Sequence, residues 1–366
     1  MAVRFYQLEV ASVNRETANA VSITFVVPPN VQEMFRYKSG QYLTIRLFIN
    51  GEEHRRSYSL SSSPALNEPM QIVVKQVRQG IVSQWLNTEL RAGMTLDVYP
   101  PMGNFTRELN PHNSRHYVMV AGGSGITPIL SLLKSALHIE SNSVVSLVYA
   151  NRSADSIIFA NEIEELRKAY PVNLRVFHVL EDAGGPVPPA FTGMLDEELT
   201  PRVIAHVAPA LGAVDAFVCG PEGLMQNVVN AFQQAGLPAE RIHREYFTVS
   251  ADAQPAVAGG PDAGPADAAE PAHPVARTVT IRLYGAEHTL VVEPGETILA
   301  AAQRENLDPP YACKIGACCT CRAKIITGKV VMDVREALSD EEIAEGYALT
   351  CQSHPLTDNV FADYDQ

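Results

Sequence analysis

The spacing of the cysteines constrains this chain more than any other feature. Three lie in Cys313-Lys314-Ile315-Gly316-Ala317-Cys318-Cys319-Thr320-Cys321, and another follows in Leu349-Thr350-Cys351-Gln352. Read as C-x4-C-x2-C with a distant fourth cysteine, Cys313, Cys318, Cys321 and Cys351 have the spacing of thiolates around a [2Fe–2S] cluster. A short loop wraps only one side of two irons, so the last ligand must come from elsewhere in the fold. Gly316 and Ala317 matter for what they lack. Small residues let backbone N–H groups turn toward sulfur, and those hydrogen bonds tune the potential. The rival is a zinc-stapled, non-redox module, but structural zinc ligands come in close pairs on both sides. Cys319 makes a C-x5-C-x1-C set with Cys321 arithmetically available; adjacent geometry would strain it, so Cys319 is expected to be a bystander thiol.

A length of 366 residues suits two or three domains, each with its own core. Neither Met1-Ala2-Val3-Arg4-Phe5-Tyr6-Gln7 nor any later stretch is apolar for long enough to read as a signal peptide or membrane span. With four of six cysteines assigned to the cluster, Cys219 and Cys319 remain, which is no disulfide framework. A cytoplasmic location is expected. The net charge of −13 argues against a nucleic-acid partner. It serves solubility, or an acidic docking face for a basic protein.

Residues 5–107 hold short runs of β-formers, among them Val21–Val27, Tyr42–Phe48 and Gln71–Val77, with Asn50-Gly51 as a hairpin signal. That rhythm predicts a small antiparallel barrel. Residues 115–247 alternate apolar runs with helical patterns: Tyr117–Ala121, Val144–Tyr149, Leu174–Leu180 and Ala216–Cys219. Such alternation predicts βαβ units on a parallel sheet. Residues 251–276 are Ala, Pro, Gly and Asp with few large apolar side chains, and read as a flexible linker. A coil of that length would span on the order of 25–30 Å.

Three further motifs carry chemistry. Arg56-Ser57-Tyr58-Ser59-Leu60-Ser61 ends an inferred strand, with Arg56 and Tyr58 on one side and Ser59 on the other. Gly80-Ile81-Val82-Ser83-Gln84-Trp85-Leu86 reads as a helix capped by Ser83, whose free N–H groups suit a pyrophosphate. Val120-Ala121-Gly122-Gly123-Ser124-Gly125-Ile126-Thr127-Pro128 runs from strand into helix. It is not a strict G-x-G-x-x-G, but its glycines leave room for a dinucleotide over a helix start with proline in the first turn. Cys219-Gly220-Pro221-Glu222-Gly223 repeats the arrangement at a later strand end.

On these motifs the chain resembles two families joined. Residues 277–366 are similar to a plant-type ferredoxin of the β-grasp fold. The cysteine loop, Glu293-Pro294-Gly295-Glu296-Thr297-Ile298-Leu299 and Tyr347-Ala348-Leu349-Thr350-Cys351 carry that match, with Cys319 a departure from it. The earlier motifs, with Pro100-Pro101-Met102-Gly103-Asn104-Phe105, resemble the ferredoxin–NADP reductase superfamily. That resemblance implies FAD held by Arg56, Ser57, Tyr58, Ser59, Val74, Gly80, Val82 and Ser83, with Tyr58 and Ser59 against the isoalloxazine. It implies NAD(P)H over Gly122, Gly123, Ser124, Gly125, Ile126, Thr127 and Pro128, and nicotinamide at Cys219, Gly220 and Pro221. Glu245-Tyr246-Phe247 matches a closing Glu-x-Phe, with Phe247 beside the flavin. Ser59, Thr127, Cys219 and Glu245 are the expected catalytic residues.

After Val148-Tyr149-Ala150, an acidic residue would favour the ribose of NADH and an arginine the 2′-phosphate of NADPH. Asn151-Arg152-Ser153 stands there, pointing to NADPH with NADH as the alternative. The expected division is a flavin-binding antiparallel β-barrel (1–110), an NAD(P)H-binding α/β domain (111–250), the linker (251–276) and the β-grasp ferredoxin (277–366). Over nearly its whole length the chain is similar to the family of phenylacetyl-CoA epoxidase reductases and related oxygenase reductases. The implied function is to pass electrons from NAD(P)H through FAD and the cluster to an oxygenase component, with a desaturase or another carrier protein as the alternative acceptor.

Overall fold

Asn50 and Gly51 both take positive φ, 55° and 84°, as a two-residue hairpin turn requires. A computed structural model describes residues 4–247, 255–261 and 275–366. The antiparallel strands are β1 (Tyr6–Thr17), β2 (Ala20–Val26), β3 (Tyr42–Ile49), β4 (Glu52–Ser59), β5 (Gln71–Lys75) and β6 (Thr95–Met102), in the order β4-β3-β6-β1-β2-β5. Register shifts at Val10/Ser12 and Arg15/Thr17 bend β1, as bulges do. The sheet curls until Leu60 bridges Ile72 and the Ser61 N–H donates to the Gln71 carbonyl at 2.9 Å. The expected barrel is thereby closed.

Alternation fills it. Leu8, Val10, Ile23, Leu43, Ile45, Ile72 and Val98 point inward, joined by Val82 and Leu86 of helix α1 (Ile81–Thr88). Each such side chain contributes about 1.5–3 kcal/mol of burial.

The parallel sheet holds β7 (His116–Gly122), β8 (Val144–Asn151), β9 (Leu174–Leu180), β10 (Phe191–Thr192), β11 (Val214–Cys219) and β12 (Ile242–Glu245), in the order β10-β9-β8-β7-β11-β12. Helices α2 (Ile126–Ile139), α3 (Ala160–Ala169), α4 (Leu199–Val207) and α5 (Glu222–Gln234) connect them. All six residues of β11 are buried, as expected for a parallel strand covered by helices. The chain runs from β7 outward through β8 and β9, then returns to place β11 on the other side of β7. Strand order therefore reverses between β7 and β11, and α/β sheets bind ligands at the carboxyl end of such a switch point.

Helix α2 also seats the sheet on the barrel. Ser131 Oγ donates to the Ser62 carbonyl at 2.6 Å, and Ser135 Oγ lies 2.5 Å from Ser39 Oγ and 2.6 Å from Ser63 Oγ. Buried Lys134 bridges Glu68 at 2.7 Å and Glu162 at 2.9 Å. Opposite the switch-point end, buried Asp215 pairs with Arg115 at 2.9 Å and with Arg107 and Arg241 at 3.3 Å each. The parallel sheet and all of the barrel but Arg55–Ser57 belong to one compact unit, Tyr6–His54 with Tyr58–Glu245; of the described residues, 4–5, Arg55–Ser57, 246–247, 255–261 and 275–366 belong to a second.

In that second unit, β13 (Ala256–Gly259), β14 (Arg277–Leu283), β15 (Ala286–Val292), β16 (Arg322–Thr327), β17 (Lys329–Met332), β18 (Tyr347–Leu349), β19 (Ser353–Pro355) and β20 (Val360–Asp363) form two sheets, β15-β14-β20-β16-β18 and β13-β17-β19. β14 and β20 run parallel at the centre of the larger sheet. Helix α6 (Ile298–Arg304) starts at Thr297, whose hydroxyl accepts the Ala300 N–H at 3.2 Å; α7 (Asp340–Ala344) starts at Ser339 with a capping box to Glu342.

Strand β13 corrects the linker expectation. Ala256–Gly259 pair antiparallel with β17, and a Cβ on Gly260 would lie 2.2 Å from the Ile326 carbonyl oxygen. Small residues read as unstructured are here the ones that let a strand lie against a sheet edge. Residues 251–254 and 262–274 of that expected linker lie outside the described residues. Among the described residues, no helix is long and apolar enough to cross a membrane.

Candidate redox sites

The loops leaving β7 and β11 are built around each other. A Cβ on Gly122 would meet Pro221 Cδ at 2.6 Å, and one on Gly125 would meet the Cys219 carbonyl oxygen at 2.1 Å. These two glycines therefore exist for loop-on-loop packing, not primarily to clear space for a ligand. Gly123 differs: its φ is +51°, and its missing Cβ would face Lys75 Nζ at 3.2 Å. Thr127 is buried and its hydroxyl donates to the Ser124 carbonyl at 3.0 Å. Helix α2 begins at Ile126, with Pro128 in its first turn as expected.

Lys75 carries no signal in the sequence, yet the fold sets it here. It is half-buried at the end of β5, and among the described residues neither it nor exposed Arg152 has an ion pair. Burial, and then the neighbouring Arg152 charge, lower the pKa of its ammonium group. Two cations near a glycine backbone suit an anionic group. Asn151, 8% exposed, has no hydrogen-bond partner for either side-chain atom. The Tyr149 hydroxyl donates to the Gly123 carbonyl at 3.0 Å; burial raises the phenol's pKa, and the Asn151 amide beside it partly offsets that rise. Buried amides are nearly always satisfied, so this one fits a polar ligand such as the sugar and phosphate of a dinucleotide.

At the ends of β4 and β12, Ser59 Oγ donates to Glu245 Oε2 at 3.0 Å. Desolvation raises the Glu245 carboxyl to a pKa of about 8, against the partial offset of that hydrogen bond. Glu245 therefore retains a proton near neutrality. Cys219, its neighbour in register, is fully buried, and burial followed by the Glu245 charge raises its thiol well above the ordinary value. It is a neutral thiol and no nucleophile. Exposed Arg56 alternates along β4 with buried Arg55 and Ser59, while Ser57 and Tyr58 are half-buried. An Arg56 nitrogen donates to the Arg55 carbonyl at 2.7 Å. Arg56 has no carboxylate partner among the described residues, which suits a phosphate. Gly220 is half-buried, Pro221 exposed, and Phe247 is 42% exposed.

Helix α1 departs from the sequence reading. Its N-cap is Gly80, not Ser83. Ser83 lies inside the first turn, donating to the Gly80 carbonyl at 3.1 Å and accepting the Val77 N–H at 3.1 Å. The serine thus shapes the loop entering the helix, leaving the first N–H groups uncapped by any side chain. Val74 and Val82 point into the barrel core, and the Val74 carbonyl accepts from Asn87 Nδ2 at 3.1 Å. At Val82 only the backbone is left to face a ligand.

In the second unit the cysteine loop turns through left-handed backbone at Lys314 (φ 59°) and Gly316 (φ 80°). A Cβ on Gly316 would meet Val334 Cγ1 at 2.8 Å. The Cys318 and Cys313 sulfurs lie 3.2 Å apart, the Ile315 N–H reaches Cys313 Sγ at 3.5 Å, and Cys351 interacts with both Cys313 and Cys321. Four thiols from a tight loop and a distant turn thus converge, a donor set that fits a [2Fe–2S] cluster. Cys319 is buried outside that set.

A flavin barrel, a nucleotide sheet with its crevice at the switch point, and a four-thiol loop together define a flavin- and iron–sulfur-dependent NAD(P)H oxidoreductase. Family models agree: residues 7–107 match the oxidoreductase FAD-binding domain, 119–230 the oxidoreductase NAD-binding domain and 281–356 the 2Fe-2S iron-sulfur cluster binding domain. The chain belongs to the family of oxygenase reductase components, which includes a 1,2-phenylacetyl-CoA epoxidase subunit of Escherichia coli (34% identity, covering 99% of this chain and 98% of that one). A 3-ketosteroid-9-alpha-monooxygenase ferredoxin reductase component of Rhodococcus rhodochrous is 36% identical over 98% and 96% of the two chains. A glycine betaine monooxygenase reductase subunit of Pseudomonas aeruginosa is 33% identical over 93% and 91%. Phthalate dioxygenase reductase shares the fold (TM-score 0.58, 21% identity, 98% of each chain). So does an intact type IV self-sufficient cytochrome P450 monooxygenase (TM-score 0.69, 24% identity, 98% of this chain and 41% of that one).

Proposed function

We propose that this reductase takes electrons from NADPH and delivers them to a separate oxygenase component. Reduced nicotinamide gives up a pair, a flavin can hold them, and the cluster passes them on singly. The observation that carries the coenzyme choice is the unpaired cation pair Lys75 and Arg152 beside the unsatisfied Asn151, which suits a 2′-phosphate better than a free ribose hydroxyl. Gly122 to Pro128 and Gly220-Pro221 would bound the dinucleotide. Arg56, Ser57, Tyr58 and the loop Gly80–Ser83 would hold FAD. Glu245 keeps a proton at its carboxyl, with the Ser59 hydroxyl on Oε2, and the two would serve as a proton source for a flavin held at the end of β4. Cys313, Cys318, Cys321 and Cys351 would hold the cluster. With four cysteines given to the cluster and no disulfide formed by Cys219 or Cys319, the cysteine usage fits a cytoplasmic location.

The test is anaerobic titration of purified protein with NADPH and with NADH, followed by cofactor extraction. FAD and cluster should both bleach, at lower NADPH than NADH. Cys351→Ser should keep flavin reduction and lose delivery to an oxygenase; delivery that survives would refute the assignment.

A further inference from the structure

Gln352 follows the fourth cysteine, and its half-buried side chain binds three ways. The two Nε2 hydrogens are shared among three acceptors, the Cys351 carbonyl at 2.9 Å, the Lys314 carbonyl at 3.2 Å and Cys351 Sγ at 3.6 Å, so one hydrogen is bifurcated. Its backbone is fixed too: the N–H donates to the Leu349 carbonyl at 2.9 Å, and its carbonyl accepts the Asp333 N–H at 3.0 Å. The side-chain stem packs over Gly316, where a Cβ would come within 3.2 Å of Gln352 Cγ. Lys314 has φ 59°, a backbone that a bulky residue keeps only where its surroundings hold it. The amide at its carbonyl is such a hold.

We propose that the Gln352 side-chain amide is a positioning residue of the cluster, tying the loop of Cys313, Cys318 and Cys321 to distant Cys351 and raising the reduction potential by donating to the Cys351 sulfur. This rests on the four-cysteine assignment. An added electron increases negative charge on the ligand sulfurs, and an N–H donor stabilises that form more than the oxidised one. Removing the donor should therefore make the cluster harder to reduce.

The experiment is a redox titration of the full-length protein, followed by electron paramagnetic resonance, on wild type, Gln352→Met and Gln352→Glu. Methionine keeps the stem over Gly316 without a donor; glutamate puts acceptors in its place. Both should lower the reduced-to-oxidised ratio at a fixed potential at least threefold, about 28 mV at 59 mV per decade for one electron. An unchanged midpoint at equal iron and sulfide content overturns the inference, even if thermal stability drops, because a merely structural role would show that pattern. Should the variants assemble no cluster, wild type carrying glutamine labelled with 15N at Nε2 decides. A nitrogen coupling to the reduced cluster supports the amide contact, and its absence refutes it. Wild type lacking iron and sulfide would instead remove the four-cysteine assignment itself.

Discussion

Glu245 shows what one desolvated carboxyl does to pH dependence. Its pKa rises from 4.5 to about 8, so between those values the folded protein binds more protons than the unfolded chain. Stability then falls as pH rises through that window. Glu245→Gln should flatten this part of the profile and gain relative stability above pH 8, read as thermal midpoints across the range. Lys75→Ala should raise the apparent KM for NADPH about tenfold with kcat little changed, the loss of one charge-assisted hydrogen bond; steady-state kinetics checks it. Ser59, Cys219 and Glu245 were legible because each sits in a short motif. Lys75 was not, because a lysine closing a β-run reads only as a solvated strand end. Its place beside Gly123 arises from the barrel meeting the nucleotide sheet, a contact no local pattern carries.

Elements were easier to read than their details. Asn50-Gly51 announced the β3–β4 hairpin because only certain residues tolerate two successive left-handed positions. The apolar runs of β7, β8, β9 and β11 announced themselves by length and alternation with helices. Helix α1 was legible as a helix but not in its start, since Ser83 hydrogen-bonds backward from inside the first turn, a choice its type alone does not reveal. Strand β13 was missed because Ala256–Gly259 has the composition of a coil; pairing with β17 supplies the order that its own side chains cannot. In the full chain, amides within Ala256–Gly259 should exchange with deuterium more slowly than coil. Deleting residues 255–260 should lower the melting temperature of the cluster-bearing unit. Exchange at coil rates would contradict the strand.

At the scale of the whole molecule, the fold class followed from order alone: antiparallel runs, then β/α alternation, then the cysteine loop. What order could not supply was which strands neighbour which. Asp215 illustrates the gap. It is a charged residue in a fully buried strand, and it makes sense only once Arg107, Arg115 and Arg241 converge from three places in the chain. Asp215→Asn should destabilise the unit by about 2–3 kcal/mol, below the range for a fully buried charge because the arginines are partly solvated. Chemical denaturation measures it, and a change under about 0.5 kcal/mol, the scale of an ordinary surface substitution, would show the cluster to be ornamental.

The absent side chains of Gly122 and Gly125 have a consequence for anyone wishing to change coenzyme preference. Because a methyl group on Gly125 would collide with the backbone of the Cys219 turn, the two turns behave as one moulded piece, and Gly125→Ala should disturb both. Swapping either turn alone from a homologue would import a surface cut for a different counterpart. A transplant that carries the pair together, with Lys75 retained, is the design the geometry permits.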